Sequence, residues 1–312
     1  MKRISLPYPL VMRQAAQLFK TEEEQKKFYD ALKAGVSREQ AIIVLQNKAE
    51  IGAFPKLRPT PWQPEFVVRL MDGFKASTHP LYEKGAFYSL DLSSCFAASA
   101  MLAIPDPVES VLDVCAAPGG KSIFAYRALS PAKMVCNEVI RKRGVFLQEN
   151  LDRCKVPAEV VSLDPSALAQ RMRDMFGLVI VDAPCSGQSL PAKNEAADGA
   201  FNPKIISECV NRQHRIAGHA ARCVAPGGYL LYMTCTFARE ENEKVVHWLI
   251  REYPDFEIVE VPKLEAFRSP FSEGFCYRLY PQMGVGAGAF TSLLRRKPVD
   301  FVAAEQGDSA ED

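Results

Sequence analysis

The 312-residue chain has no C-x-x-C pair, no histidine cluster and no run approaching the roughly 20 apolar residues that a bilayer span needs. Its first residues, Met1-Lys-Arg-Ile-Ser-Leu-Pro-Tyr-Pro9, lack the apolar core of a secretion signal. We therefore expect a cytoplasmic protein with no membrane contact. The nine cysteines are odd in number and scattered, so neither a disulfide framework nor a zinc site is indicated. No metal is expected, and most of these thiols should be buried as small apolar groups. There is no internal repeat and no low-complexity segment except the tail.

What remains is an ordinary globular composition. The hydrophobic fraction of 48% and charged fraction of 24% supply a real core, and the length suits two domains, or one with an extension. The net charge of +1 hides an asymmetry. Residues 298–312 carry five acids and no base, and without them 38 basic residues face 32 acidic ones. A mildly basic body with an acidic, disordered tail permits a nucleic-acid partner without requiring one.

Residues 1–78 have a helical texture. Leu10, Val11, Ala15, Leu18 and Phe19 are spaced for one buried face, and Phe28, Ala31 and Leu32 for a second. Ser37 before Arg38-Glu-Gln40 reads as an N-cap and predicts a helix through Ala41-Ile-Ile-Val-Leu45. Four prolines in the eleven residues 54–64 forbid helix and central strand there, leaving an extended connector.

From residue 110 short apolar runs alternate with helical stretches, the signature of a parallel sheet wound with helices. The runs are 110–115, 133–138, 159–163, 177–182, 228–234, 256–261 and 289–294; helices fit at 121–128, 141–153, 205–223 and 240–253. Ligands bind such sheets beyond the carboxyl ends of the strands, so chemistry should follow each run.

After the first run stands Cys115-Ala116-Ala117-Pro118-Gly119-Gly120-Lys121, then a helix. Small residues let backbone N–H groups approach a ligand, and the helix N-terminus favours a negative group. Gly120-Lys-Ser122 also ends a P-loop pattern, but that pattern needs glycine at position 115, where a cysteine stands. Glu138 closes the second run, where a carboxylate can accept both hydroxyls of a ribose. Asp164 closes the third, within reach of an adenine amine, although a strand-end acid can equally cap the next helix. Together these describe an adenosine without a triphosphate and point to S-adenosylmethionine. The fourth run ends in Asp182-Ala-Pro-Cys185-Ser-Gly187 and the fifth in Thr234-Cys235-Thr236. Two cysteines beyond adjacent strands face one crevice, where helix N-termini and donors can lower a thiol from its usual value of about 8.5 toward neutrality.

These segments, with Leu112-Asp-Val-Cys-Ala-Ala-Pro-Gly-Gly-Lys-Ser122, resemble the Fmu/Sun family of S-adenosylmethionine-dependent RNA cytosine-C5 methyltransferases. Gly85-Ala-Phe-Tyr88, Ser93-Ser94, Gln213, Glu241-Asn242 and Arg278-Leu-Tyr-Pro281 extend the likeness across about residues 79–297. Met283 and Gly288-Ala-Phe290 depart from the family's C-terminal pattern, as Val44-Leu-Gln-Asn-Lys48 does from its N-terminal one. The resemblance implies a Rossmann-like class I methyltransferase of α/β class with a seven-stranded, mostly parallel sheet over residues 79–297, behind an N-terminal, mainly helical extension. It implies that residues 115–121, Glu138, Asp164 and Asp182 bind S-adenosylmethionine, that Cys235 attacks the base, and that Cys185 assists product release. A monomer acting on RNA, ribosomal rather than transfer, is the corresponding expectation.

The chemistry explains the residue types. A thiolate adding to C6 makes C5 of cytosine nucleophilic, the charge that develops at N3 needs a donor, for which a protonated Asp182 is one candidate, and a base must remove the C5 proton. An unstacked cytosine is required. Arg141, Lys142, Arg143, Lys56, Arg58, Arg295, Arg296 and Lys297 are candidate RNA contacts or simply solvated charges, and Lys193 could meet phosphate or base. Two other readings stay open: a DNA cytosine-C5 methyltransferase attacking through Cys185, and a non-catalytic RNA-binding module.

Overall fold

The computed structural model describes residues 6–35, 40–45, 52, 54–71 and 73–298. The chain opens with two helices, α1 (Tyr8–Leu18) and α2 (Glu22–Ala34). Thr21 and Glu24 form a reciprocal capping box at the start of α2, which satisfies two N-terminal donors at once. Next come strands β1 (Gln40–Val44) and β2 (Val67–Arg69), the short helix α3 (Pro80–Glu83) and strand β3 (Phe87–Asp91). These strands form an antiparallel sheet in the order β2-β1-β3. Residues 41–44, read from sequence as helix, are therefore strand. Ser37, the proposed cap, lies outside the described residues, and the β-branched Ile42-Ile43-Val44 follow β propensity. Because β3 pairs with β1, this small sheet straddles the 78/79 boundary drawn from sequence.

Helix α4 (Leu92–Ser99) leads into the main body: β4 (Ser110–Asp113), α5 (Gly120–Leu129), β5 (Lys133–Asn137), α6 (Arg141–Arg153), β6 (Glu159–Val161), α7 (Pro165–Arg171) and β7 (Phe176–Asp182). It continues with α8 (Pro203–Ala221), β8 (Val224–Thr234), α9 (Glu243–Glu252), β9 (Phe256–Val259), β10 (Tyr277–Leu279) and β11 (Ala289–Arg296). The large sheet runs β10-β11-β8-β7-β4-β5-β6, with β9 also on β11. Pairings from β6 through β8 are parallel and those of β11 antiparallel. All seven apolar runs lie in it, and β10 is an eighth strand; this is the Rossmann-like α/β fold. Among the described residues no helix is long and apolar enough to cross a membrane.

Alternate residues of each central strand feed two cores. Val111, Leu178, Ile180 and Leu231 face α4 and α5 through Phe96 and Phe124. Leu112, Val179, Val181 and Leu230 face α8 and α9 through Ile216, Val245 and Leu249. Burial on both faces is what makes these strands unbroken apolar runs. A third cluster docks α1 and α2 on the rest: Phe28 meets Phe237 edge-on at 5.1 Å and also contacts Tyr280. The N-terminal helices thus brace the segment two residues beyond Cys235.

Candidate active site

The first strand end builds a cavity. Asp113 is fully buried, accepting from Ser122 Oγ at 2.6 Å and Cys115 N at 3.3 Å, and burial pushes its carboxyl up to about 7. It fixes the turn from inside rather than touching a ligand. The two glycines have different duties. Gly119 turns the chain at φ 111° as the residue before α5, a conformation that side chains resist. At Gly120 a Cβ would lie 2.6 Å from Leu90, so this glycine lets α5 pack on β3.

Glu138 is buried at the end of β5, its Oε1 accepting from Ile140 N at 2.9 Å. Arg143 comes within 3.1 Å of Glu138 Oε2, yet that oxygen has no hydrogen bond of good geometry among the described residues. Arg143 also donates to Ala117 O at 2.7 Å, so it ties α6 to the 115–121 loop instead of reaching outward for RNA. Asp164 is exposed and caps α7, accepting from Ser166 N at 2.9 Å and Ser166 Oγ at 2.8 Å. Those bonds hold its carboxyl below the ordinary value. Cys115, Glu138, Ile140, Arg143, Asp164 and Pro184 line one cavity of about 650 Å³, joined by Arg212 of α8, which no sequence signal marked.

Beyond β7 and β8 the two cysteines meet. Cys185 Sγ and Cys235 Sγ are 3.2 Å apart, both half-buried thiols. Hydrogen bonding from Cys185 lowers Cys235, burial and Asp182 oppose, and the Lys193 and Lys121 ammoniums add to the lowering. Cys185 moves the other way, raised by that same bond and then by burial. Of the pair, Cys235 is therefore the thiol that ionises more readily.

Lys121 Nζ lies 2.6 Å from Asp182 Oδ2. Burial alone would lower the lysine, but the carboxylate outweighs it and raises the ammonium above its ordinary value. Where the sequence offers Asp182 as a donor to N3, the geometry sets the Lys121 ammonium against its carboxyl group. Lys193 approaches Asp91 Oδ1 at 3.3 Å, which brings the end of β3, where Asp91 caps α4, into the site.

Behind the thiols a polar network joins the two loops. Glu241 accepts from Ser186 N at 2.9 Å, from Ser186 Oγ, from Gln213 Nε2 at 2.8 Å and from Thr236 Oγ1 at 3.3 Å. Burial raises its carboxyl in spite of these donors. Gln213 also donates to Pro184 O at 3.1 Å, Ser189 N to Cys235 O at 3.1 Å, and Asn242 Nδ2 to Thr236 O at 2.9 Å. Arg278 forms a buried ion pair with Glu243 and donates to Phe237 O at 2.9 Å, holding the chain just past Cys235.

The basic end of β11 lies elsewhere. Since β11 runs antiparallel to β8, Phe290 sits beside Thr234 while Arg295 sits beside Tyr229, roughly 16 Å further along the strand. Arg296 pairs there with Asp174 and Asp255, so the 295–297 cluster cannot grip a substrate at the cysteines.

A model of the family described as 16S rRNA methyltransferase RsmB/F matches residues 100–295, well over half of the chain. The chain belongs to the RsmB/F family. Ribosomal RNA small subunit methyltransferase F of Pectobacterium carotovorum subsp. carotovorum (strain PC1) is 31% identical over 273 residues, 82% of this chain and 56% of that protein. Its counterpart in Escherichia coli O9:H4 (strain HS) is 31% identical over 248 residues, 77% of this chain and 52% of that protein. This RsmB/F member spans about half the length of the curated relatives it matches. A methyltransferase homolog protein from Pyrococcus horikoshii shares the fold at TM-score 0.74 and 22% identity, covering 94% of this chain and 100% of that one. NSun6 from the same organism, with SFG, does so at TM-score 0.73 and 20% identity, covering 92% and 97%. The fold likeness takes in the N-terminal region as well as the RsmB/F core.

Proposed function

We propose that the chain methylates C5 of a cytosine in RNA, 16S ribosomal RNA by family analogy, using S-adenosylmethionine and a transient bond from Cys235 Sγ to C6. The observation that carries the reading is the thiol pair: two sulfurs 3.2 Å apart, one lowered and one raised, at the ends of neighbouring strands.

The residues of the 650 Å³ cavity fit the cofactor. Glu138 Oε2 is a buried acceptor that meets Arg143 at 3.1 Å without a hydrogen bond of good geometry, so a ribose hydroxyl could still donate to it. Ile140 and Pro184 offer apolar walls for an adenine, with Asp164 at the edge. When bound, S-adenosylmethionine supplies an electrophilic methyl carbon on a sulfonium.

The protein's own groups do the rest. Cys235 thiolate adds to C6, and the electrons of the C5–C6 double bond shift so that C5 becomes the nucleophile. Lys121, paired with Asp182, places an N–H donor and a positive charge beside the thiol, where charge developing on the ring is stabilised. After C5 carries the methyl group, Cys185, its own thiol proton first released to solvent, takes the C5 proton; the C5–C6 double bond re-forms and Cys235 leaves as thiolate. Glu241, Gln213 and Asn242 keep the two loops at working distance. The pKa ordering supports Cys235 as attacker and disfavours the DNA-type mechanism, in which Cys185 attacks.

The test is incorporation of labelled methyl from S-adenosylmethionine into unmodified 16S rRNA, with the site mapped by bisulfite sequencing. One protected cytosine is expected. Label confined to transfer RNA, or label on a base other than cytosine, contradicts the proposal.

A further inference from the structure

A second cavity, of about 440 Å³, opens between α1, α8 and α9, a size within the range of roughly 300–1,000 Å³ typical of small-ligand clefts. It shares no lining residue with the cofactor cavity. His214 of α8 and Trp248 of α9 both line it and stack on each other, with centroids 4.2 Å apart and planes at 17°. Gln14 of α1 lines it too. That side chain is only 6% exposed, and its Nε2 has no hydrogen-bond partner among the described residues. Leaving an amide in that state is costly, so a polar group belongs against it.

Charge indicates what kind of molecule enters. Arg13, Lys244 and Arg251 line the cavity against one carboxylate, Glu240, which pairs with Lys244 at 3.2 Å. Arg251 meets Glu252 at 3.2 Å on the exposed surface, where such pairs are weak and exchange readily. A stacked aromatic plate, a buried amide and an excess of cations together suit a flat, hydrogen-bonding ring attached to a phosphate. An apolar peptide would gain nothing from the cations. One lining residue, Glu240, directly precedes Glu241, which holds the Cys185 loop through Ser186.

We propose that this cavity is a second RNA subsite, taking one unstacked nucleobase of the substrate strand: the base extends the Trp248–His214 stack, its edge meets the Gln14 amide, and its phosphate faces Arg13 and Arg251. The inference rests on the reading of the chain as an RNA enzyme. It deepens that reading by giving the protein a hold on a nucleotide other than the target cytosine.

The chain has two tryptophans. Trp62 is 1% exposed, so Trp248 is the one a ligand in this cavity would report on. Titration of the whole protein with a short single-stranded RNA oligonucleotide should quench its tryptophan emission saturably. Trp248→Phe should abolish the quenching. By anisotropy of a labelled oligonucleotide, Trp248→Phe and Gln14→Leu should each weaken binding about fivefold or more, as expected for a lost stack or base-edge bond. Circular dichroism and affinity for S-adenosylmethionine should match wild type in both variants, which separates binding from folding. RNA binding that leaves Trp248 emission unchanged, quenching by an apolar peptide but not by RNA, or wild-type affinity in both variants would overturn the subsite. Cytosine methylation without quenching removes the subsite alone. Quenching and weakened variants without methylation remove the cytosine reading and leave the subsite standing.

Discussion

Replacement of Glu241 discriminates between a staple and a merely buried acid. Its Oε2 accepts from two N–H groups, Ser186 N and Gln213 Nε2, while its Oε1 accepts from two hydroxyls, on Ser186 and Thr236. In Glu241→Gln the amide oxygen can take the Oε2 position and keep both N–H donors. Its NH₂ then faces hydroxyls that rotate to accept. Only the charge assistance is lost, and burial already disfavours that charge, so the cost should be about 1–2 kcal/mol. In Glu241→Leu no acceptor remains and two buried N–H groups are stranded at about 1–3 kcal/mol each, giving roughly 2–6 kcal/mol. Urea denaturation with linear extrapolation measures both variants. The same variants should rank identically in the rate at which Cys235 forms an adduct, because the staple sets the spacing of the loops. Equal losses in the two variants, or a Leu variant within about 1 kcal/mol of wild type, would refute the account of the network.

Four further outcomes are expected. Asp113 has its carboxyl raised by burial to about 7 from an ordinary 3.8, so the native state holds a proton that the unfolded chain releases between those values. Its contribution is fully present below about pH 4 and lost as pH rises through about 7; Asp113→Asn should remove that slope, and an unchanged slope in pH-dependent thermal melts contradicts the assignment. Glu138→Gln should weaken S-adenosylmethionine binding about tenfold by calorimetry, the equivalent of one charge-assisted hydrogen bond, whereas unaltered affinity moves the ribose elsewhere. Lys121→Met removes a cation that lowers Cys235, so the pH profile of its alkylation should move upward; no movement, or a downward one, counts against the Lys121 role. Gly85→Ala would place a Cβ 1.7 Å from Arg153 O at φ 67°, and a loss of about 2 kcal/mol or more in denaturation is expected, with a neutral result excluding the close approach.

Much of this was legible in the sequence because central strands buried on both faces read as unbroken apolar runs, and the helix over 141–153 matched its pattern end to end. The thiol pair was legible for a topological reason: residues that close adjacent parallel strands must meet at the same sheet edge. Where the reading failed, a short local signal competed with a longer-range one. The cap pattern at Ser37 obscured the β-branched run 42–44, which pairs with β2 and β3. Helix α7 was overlooked although Asp164-Pro165 begins it with a cap and a proline at its first position. Strand β10 has three residues and is fixed by β11, so it has no period of its own to read. The direction of β11 was invisible too, and that misplaced Arg295 and Arg296. The Lys121–Asp182 and Lys193–Asp91 pairs and the Glu241 network depend on loop geometry that spacing does not encode.

The central claim, that Cys235 bonds to the pyrimidine while Cys185 serves its release, is tested most directly by trapping on RNA containing 5-fluorocytosine in the presence of S-adenosylmethionine. The fluorine cannot be removed as a proton is, so the adduct persists and shifts the protein on a denaturing gel. The account predicts that Cys235→Ala gives no shifted band and that Cys185→Ala still gives one. A band retained in Cys235→Ala and lost in Cys185→Ala would contradict it.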